Sequence, residues 1–573
     1  MSGLILTDIE FRRVMLHLRG RFSDEMSGGL RETGTIRFYF ESPYLDRYEP
    51  QQTLVDLPSG SFELIFHIMG MDHRYPLRTG EYRLKAETPD GKVWQTYLSE
   101  DLHHANEFGR IVLPEQEQAS FRRLRDSEQD NPYSFWYRNT SLRHGDESYQ
   151  ILSMIDPDRD TYYIQVLTEY VREDLGIRRT FRNWASETAI RLRDLFKPFK
   201  ESLTVRYFNR CQEKRKRSGT KTILFASGSR MELGGNLGFV HDRMEERGLL
   251  SQYRVLYNFK ASAKKRRGIR GTLSFTRKLA ESDIILIDDF LPFMYKFDFP
   301  EDVKIVQLWH ACGAFKAVGF ERIGKSGVPA LNSRAHKCYT HMPVSSELVA
   351  HHYAEAFVLP EEILMPIGVP RTDIFFDEDY RKKITASLHE QYPILNERNK
   401  VILYAPTFRG DGALSAYFPY EVFDLERLGA WCREHNDLLI LKMHPFVKQR
   451  FSIPEEYSGY FIDLSSHREI NDLLFVTDVL ITDYSSVMYE FSLLRRPIYF
   501  YAFDQKLYER TRDFYEPFEQ TVPGGIVKTM DELIAALEND TFDYSGLDAF
   551  IARNFKYTDG RSTDRVIDQI ILE

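Results

Sequence analysis

Two histidines, a set of basic side chains and several hydroxyls fall at corresponding places in this sequence, each just after a short apolar run. His310 follows Val303–Leu308, and Thr407 and Arg409 follow Val401–Tyr404. Lys442 and His444 follow Leu438–Leu441, and Asp483, Ser485 and Ser486 follow Val479–Ile481. Guanidinium, ammonium and hydroxyl groups converging on one point make a phosphate receiver. A helix opening at Ser485–Ser486 would add its free N–H groups and the positive end of its dipole. Transfer at phosphorus or at an anomeric carbon then needs a base for the acceptor hydroxyl, and an imidazole serves near neutral pH. His310, flanked by Gly313 and Lys316, stands where such a base is needed. Taken singly, each group also fits a plain structural role, since Asp483 and the serines would cap a βα turn. Their recurrence at matching strand ends is what favours chemistry.

The elements that must position these groups are alternating strands and helices. The stretch Asp478–Phe500 is the clearest: an apolar run, then Val487, Met488, Phe491 and Leu494 at helical spacing, then Pro497 ahead of a strand at Ile498–Tyr501. Earlier strands are expected at Thr222–Ala226, Tyr253–Tyr257, Asp283–Ile287 and Val303–Leu308, with helices from Gly234 through Met244 and over Thr272–Ala280. A second set has strands at Val401–Tyr404 and Leu438–Leu441 and helices at Leu425–His435 and Met530–Leu537. This is a doubly wound parallel α/β pattern twice over, in which ligands sit at the carboxyl ends of strands. The expected domains are 220–375 and 376–573, with the ligand bound between them.

The first 165 residues read differently. Short aromatic or β-branched runs at Thr35–Phe40, Phe62–Ile68, Tyr82–Ala86 and Tyr162–Leu167 are separated by turn residues, which suggests sandwich-like β modules. Asp156–Asp160 lacks the glycine and distal glutamate of a calcium loop and reads as a turn. Residues 166–219 form a basic linker, with 13 Lys/Arg against 4 Asp/Glu from Arg178 to Ser218. Phe181, Trp184, Phe199 and Phe208 are interspersed at roughly helical intervals, so basic helices over 178–217 would suit an anionic membrane surface or would pack as a linker with a solvated face. Lys264–Arg270 is a second basic cluster.

Composition narrows the classes. The chain has 573 residues, 42% hydrophobic and 28% charged, which excludes wholesale disorder. A net charge of −9 gives no reason to expect nucleic acid. The four cysteines are scattered without metal-ligand spacing, against a zinc site or a disulfide framework. Neither a signal peptide nor a membrane span is expected, so the reading is a soluble or surface-attached protein.

Across about residues 221–560 the chain resembles the CDP-glycerol glycerophosphotransferases that build teichoic-acid and related polymers. The resemblance rests on Gln307-Leu-Trp-His-Ala-Cys-Gly313, Gly368-Val-Pro-Arg-Thr-Asp373, Tyr404-Ala-Pro-Thr-Phe-Arg409, Lys442-Met-His-Pro445 and Thr482-Asp-Tyr-Ser-Ser486. It implies a GT-B-like pair of Rossmann-type domains with the active site in the cleft between them, peripheral attachment at the cytoplasmic membrane face, and neither metal nor cofactor. His310 would activate the acceptor hydroxyl, and His444 would bind the donor phosphates. Thr407, Arg409, Lys442, Ser485 and Ser486 would hold phosphate, while Asp483 would orient its neighbours. Gly313, Lys316, Arg371 and Glu490 are further site candidates. Ala311 stands where many members have glycine, a departure expected to alter the acceptor side. The implied reaction is attack of a polyol hydroxyl on the β-phosphorus of CDP-glycerol, releasing CMP, with a lipid-linked or polymer acceptor in teichoic-acid-like or capsular polymer synthesis. CDP-ribitol as donor, a GT-B sugar transferase and an inactive scaffold are the alternatives. The sequence leaves open chain length, homo-oligomer formation and the role of the β modules.

Overall fold

A computed structural model describes residues 2–27, 35–42, 45–72, 74–104, 133–141, 145–156, 159–171, 201–215, 219–260, 267–322, 329–330, 333–410, 416–539 and 542–573. Of the basic linker only 201–215 falls within these residues, and of the second basic cluster only 267–270. The chain divides into two compact units.

The first unit is β-rich, as expected. Its strands form one 11-stranded sheet that runs from Gln52–Asp56 at one edge to Ser134–Ser141 at the other. Apolar residues alternate inward along Met15–Phe22, Ser61–His67 and Gly80–Glu87, the period-2 pattern that buries one face. Phe38 and Phe62 lie on strands that are not hydrogen-bonded neighbours, yet their rings are 5.4 Å apart. The sheet therefore wraps over a single core that draws on Ser61–His67, next to one edge, and on Phe135 at the other, while the edge strand Gln52–Asp56 stays exposed. Asp156 pairs with Thr161 and accepts from the Asp160 N–H at 2.8 Å, Asp160 taking a left-handed φ of 52°; Pro157 and Asp158 of the expected turn lie outside the described residues. Two later segments, 318–337 and 355–359, belong to the same unit. Phe320 and Val358 enter its core, and Arg13 pairs with Glu321 at 2.9 Å.

The second unit carries two large parallel sheets and a two-stranded parallel pair, Met342–Pro343 with Leu364–Met365. In the first, the order is Arg254–Asn258, Thr222–Ala226, Ile284–Ile287, Lys304–Gln307. Thr222–Ala226 and Ile284–Ile287 are buried along their whole length, as strands covered on both faces must be. Helix 201–215 packs here: Phe208 stacks on Phe297 at 4.3 Å, and Arg215 is gripped by Asp283 and Asp302. Within the described residues, the aromatic face of the basic linker is thus turned into the protein.

The second sheet has six strands in the order Phe461–Asp463, Leu438–Leu441, Val401–Ala405, Val479–Thr482, Ile498–Tyr501, Gly525–Val527. In chain order that is 3-2-1-4-5-6, the doubly wound Rossmann arrangement, and its direction reverses between Val401–Ala405 and Val479–Thr482. Ligands of such sheets lie outside the carboxyl ends of the strands at that reversal.

Two crossings of the chain join the sheets. The first runs through Gly368–Asp373. The second brings the chain's last helical turns back, so that Val566, Ile567, Ile570 and Ile571 join Ile223, Phe225 and Leu286 in the core of the first sheet. A division at 375 into two consecutive segments gives no hint of this return. Asp373 fixes both crossings together by accepting from the backbone N–H groups of Ser562 (2.8 Å) and Thr563 (2.7 Å). Because Ile570 is fully buried in the first sheet's core, Ile570→Ala should destabilise the α/β unit by about 2–5 kcal/mol. Urea unfolding followed by tryptophan fluorescence would measure this, and a loss below about 0.5 kcal/mol would show that the returning helix adds little.

Candidate active site

The reversal point of the second sheet is held by charge. Arg409 is 7% exposed and places its guanidinium between two carboxylates. Nη1 donates to Asp483 Oδ2 at 2.9 Å, while Nε and Nη2 donate to the two oxygens of Asp504 at 2.7 and 2.8 Å. Asp483, fully buried, also accepts from the backbone N–H of Thr407 (2.8 Å) and from its neighbour Tyr484 (2.6 Å). These bonds lock the ends of Val401–Ala405 and Val479–Thr482 together. Arg409, expected from the sequence to hold phosphate, is committed to carboxylates, and Asp483 orients its neighbours.

Lys442 is similarly engaged. Its ammonium group is buried and donates to the carbonyls of Ser465 (3.2 Å) and His467 (2.7 Å), so it ties down that loop while leaving its positive field in place. His444, two residues on, has its tautomer set by the backbone: the N–H of Phe446 donates to Nδ1 at 3.2 Å. A neutral ring accepting at Nδ1 carries its proton on Nε2, so His444 presents a donor. Burial pushes its pKa down to about 4, helped by the charges of Lys316, Lys442 and Arg512. Three cations around a neutral imidazole make a site in want of an anion. Lys316 reaches it from the first sheet's side, donating to Thr407 Oγ1 at 3.1 Å. Ser485 and Ser486 are half-buried and stand at the start of a helix of only six residues, Val487–Ser492, shorter than the apolar spacing predicted. Ser485 Oγ accepts from the Val487 N–H at 3.4 Å.

His310 leaves the first sheet one residue after Trp309, whose left-handed φ of 52° turns the chain sharply. The Trp309 indole stacks on the imidazole at 4.4 Å and limits its rotation. Nδ1 lies 4.0 Å from Asp289 Oδ1, so that carboxylate faces one of the two ring nitrogens. Surrounding protein lowers the pKa, Asp289 opposes that, and Arg371 adds to it. The side chain is 57% open to solvent, so the imidazole can be reached from outside. His310 is therefore neutral and able to accept a proton at neutral pH.

The loop after His310 is anchored in the second sheet's domain. Phe315 sits in that domain's core, its ring 4.7 Å from Phe514. A Cβ on Gly313 would lie 2.0 Å from the Tyr489 ring, so only glycine allows this approach. Arg371 closes the arrangement: Nη1 donates to the His310 carbonyl at 2.6 Å, and Nε is 3.5 Å from buried Glu490. Cys312 Sγ also donates to Glu490, at 3.3 Å.

The structure thus gathers Thr407, Lys316, Lys442 and His444 about one anion-seeking point. Gly313, Arg371 and Glu490 support His310. The sequence reading missed four participants. Asp289 and Asp504 each follow a buried strand, and Asp288-Asp289 was a visible signal. Arg512 is adjacent only in space, and Arg230, which pairs with Glu469 at 2.6 Å, lies in a loop with no distinguishing pattern.

Residues 208–572 match the family described as CDP-Glycerol:Poly(glycerophosphate) glycerophosphotransferase, and the chain belongs to that family. Among relatives, the teichoic acid ribitol-phosphate polymerase TarK of Staphylococcus aureus is 46% identical over 61% of this chain and 68% of its own length. The poly(ribitol-phosphate) polymerase of Bacillus spizizenii is 43% identical over 61% of this chain, which spans only 56% of that protein. The glycerol-phosphate primase of Bacillus subtilis is 33% identical over 50% of this chain and 73% of its own length. Among solved structures, the wall teichoic acid polymerase TagF shares the fold at a TM-score of 0.52 and 21% identity, covering 69% of this chain and 98% of that one.

Two outcomes are expected from the geometry. Gly313→Ala should displace the His310 loop and lower stability by about 1–3 kcal/mol; an unchanged melting temperature would mean the loop has room to shift. In an NMR pH titration, His444 should titrate near 4, well below the ordinary 6.5, and move upward when CDP is added. An anion favours the protonated ring, so no movement would place the phosphates elsewhere.

Proposed function

We propose that this chain transfers a polyol phosphate from a CDP-activated polyol to a hydroxyl of a polyol-phosphate acceptor, releasing CMP, and that the polyol is ribitol. The observation that carries the reading is the pairing of a neutral His310 on one sheet with the cation-ringed His444 on the other. Membership of the family supports the reaction class. The ribitol assignment draws on relatives named as ribitol-phosphate polymerases at 43–46% identity, against 31–35% for those named for glycerol phosphate. CDP-glycerol, the donor implied by the family's description, is the second reading.

In this mechanism His310 Nε2 takes the proton of the acceptor hydroxyl as its oxygen attacks the phosphorus that bears the polyol. The new P–O bond forms as the bond to the CMP phosphate breaks, and CMP leaves as an anion. His444 Nε2–H and the ammonium of Lys316 meet the charge that grows on the leaving phosphate, with the fields of Lys442 and Arg512 behind them. Ser485 and Ser486 offer hydroxyls to the same group. Arg409, Asp483 and Asp504 hold these groups in place without touching the substrate. Acceptors are polyol-phosphate chains, lipid-linked at their origin. The basic segment 178–217 holds the enzyme at an anionic membrane surface in this reading. Among the described residues no helix is long and apolar enough to cross a membrane.

CMP release measured with CDP-ribitol, CDP-glycerol and a UDP-sugar, on a polyol-phosphate-primed acceptor, tests the reading. Turnover should be fastest with CDP-ribitol. His310→Ala should lower kcat by about 10³-fold and leave donor affinity within a few-fold. Turnover only with the UDP-sugar, or near-native kcat in the variant, would overturn it.

A further inference from the structure

A second concavity lies beside the base and is built from both α/β domains. It encloses about 360 Å³, within the range of small-ligand sites. One wall is the start of helix Gly235–Glu246 with Arg230; the other is the segment carrying Arg468, Glu469 and Asn471. The helix begins at Gly234 with no side-chain cap and no acidic residue in its first turn, so its leading N–H groups and dipole favour an anion there, with Glu232 lining the cavity just ahead of it. A Cβ on Gly235, whose φ is +55°, would lie 2.6 Å from Arg230 Nη2, so the guanidinium is laid directly along the bare backbone. These groups favour an anion.

Arg230 also pairs with Glu469 of the second wall at 2.6 Å, and beside that pair this wall offers acceptors. Asn471 is 5% exposed, and its Oδ1 has no hydrogen-bond partner among the described residues. A buried carboxamide oxygen left unmatched costs about 1–3 kcal/mol, and a ligand hydroxyl would relieve it. Glu469, whose Oε1 accepts from Arg230 at 2.6 Å, and Asp472 add carboxylate acceptors on this wall. A ligand that satisfies both walls carries an anionic oxygen at one end and hydroxyl donors at the other.

The cavity communicates with the base through two residues. Arg371 lines it and bonds the His310 carbonyl at 2.6 Å. Asn236, in the first turn of the same helix, donates to the carbonyls of Leu308 (3.0 Å) and Trp309 (2.8 Å) and accepts from the Arg371 N–H at 2.8 Å. We propose that this cavity holds the terminal polyol-phosphate unit of the acceptor. Its phosphate lies at the helix start between Arg230 and Arg468, and its hydroxyls meet Asn471 and Glu469, so that the terminal hydroxyl is delivered to His310. This rests on the transferase reading above.

The test measures binding, so it does not depend on turnover. Calorimetry would follow ribitol 5-phosphate binding to the full chain in saturating CDP, which fills the donor site. The wild type should bind, and Arg468→Gln and Asn471→Leu should each weaken binding at least tenfold while CDP affinity stays within twofold. Arg468 is half-exposed, so its variant stays informative if Asn471→Leu fails to fold. Equal affinity in Arg468→Gln, absence of binding to the wild type, or mutual exclusion of ribitol 5-phosphate and CDP would overturn the proposal. Wild-type binding without CMP release from either CDP-polyol would instead sink the transferase reading and leave the cavity assignment standing.

Discussion

The buried guanidinium of Arg409 is the constraint on which the site depends. A charge with 7% exposure is tolerable only if it is paired, and Asp483 and Asp504 supply the pairs from the loops after two different strands. Breaking such a pair leaves an uncompensated charge worth about 3–5 kcal/mol. Three strand ends are thereby held at fixed spacing at the sheet's reversal point. The same arrangement sorts the local cations. Arg409 is neutralised by protein, whereas Lys316, Lys442 and Arg512 act together on His444 and depress its pKa. The protein satisfies the cation that builds the site and leaves a positive field where a phosphate would lie.

Position of the base relative to that field is set by packing rather than by charge. His310 emerges from one sheet, but Phe315, five residues later, is a core residue of the other domain. Tyr489 lies against the bare backbone of Gly313, and Tyr353 donates to the Gly313 carbonyl at 3.1 Å. Aromatic burial of this kind contributes more than any single hydrogen bond along the loop.

Much of this was legible in the sequence for a simple reason. Parallel strands buried on both faces appear as unbroken apolar runs, and the residues just after each run must lie at the carboxyl edge; Thr222–Ala226 and Leu438–Leu441 fall where the letters place them. The β-rich start was equally visible in its short aromatic and β-branched runs set apart by turn residues. Pairings across long separations stayed hidden. Nothing beside Arg409 announces Asp504, so a buried ion pair reads the same as a phosphate ligand. The tautomer of His444 depends on one backbone N–H. The return of Ile570 to the first sheet is invisible because an apolar helix does not state which core it enters. Phe208 illustrates the same ambiguity, since a basic aromatic helix looks alike whether its rings meet lipid or Phe297.

The motif Gly368–Asp373 does more than carry Arg371. Gly368, at a φ of +96°, lets Ser562 approach to within 2.3 Å of where a Cβ would stand, and Asp373 bonds the backbone of the returning chain. The two covalent links between the α/β halves are therefore stitched side by side, in the manner of a door hung on a single pin. Sliding of one half past the other would have to tear that stitch, and rotation about it would have to pull Phe315 from the second domain's core and part Lys316 from Thr407. Distance from the pin is a lever arm, so contacts remote from it, such as Lys316 with Thr407, hold the angle between the halves most effectively.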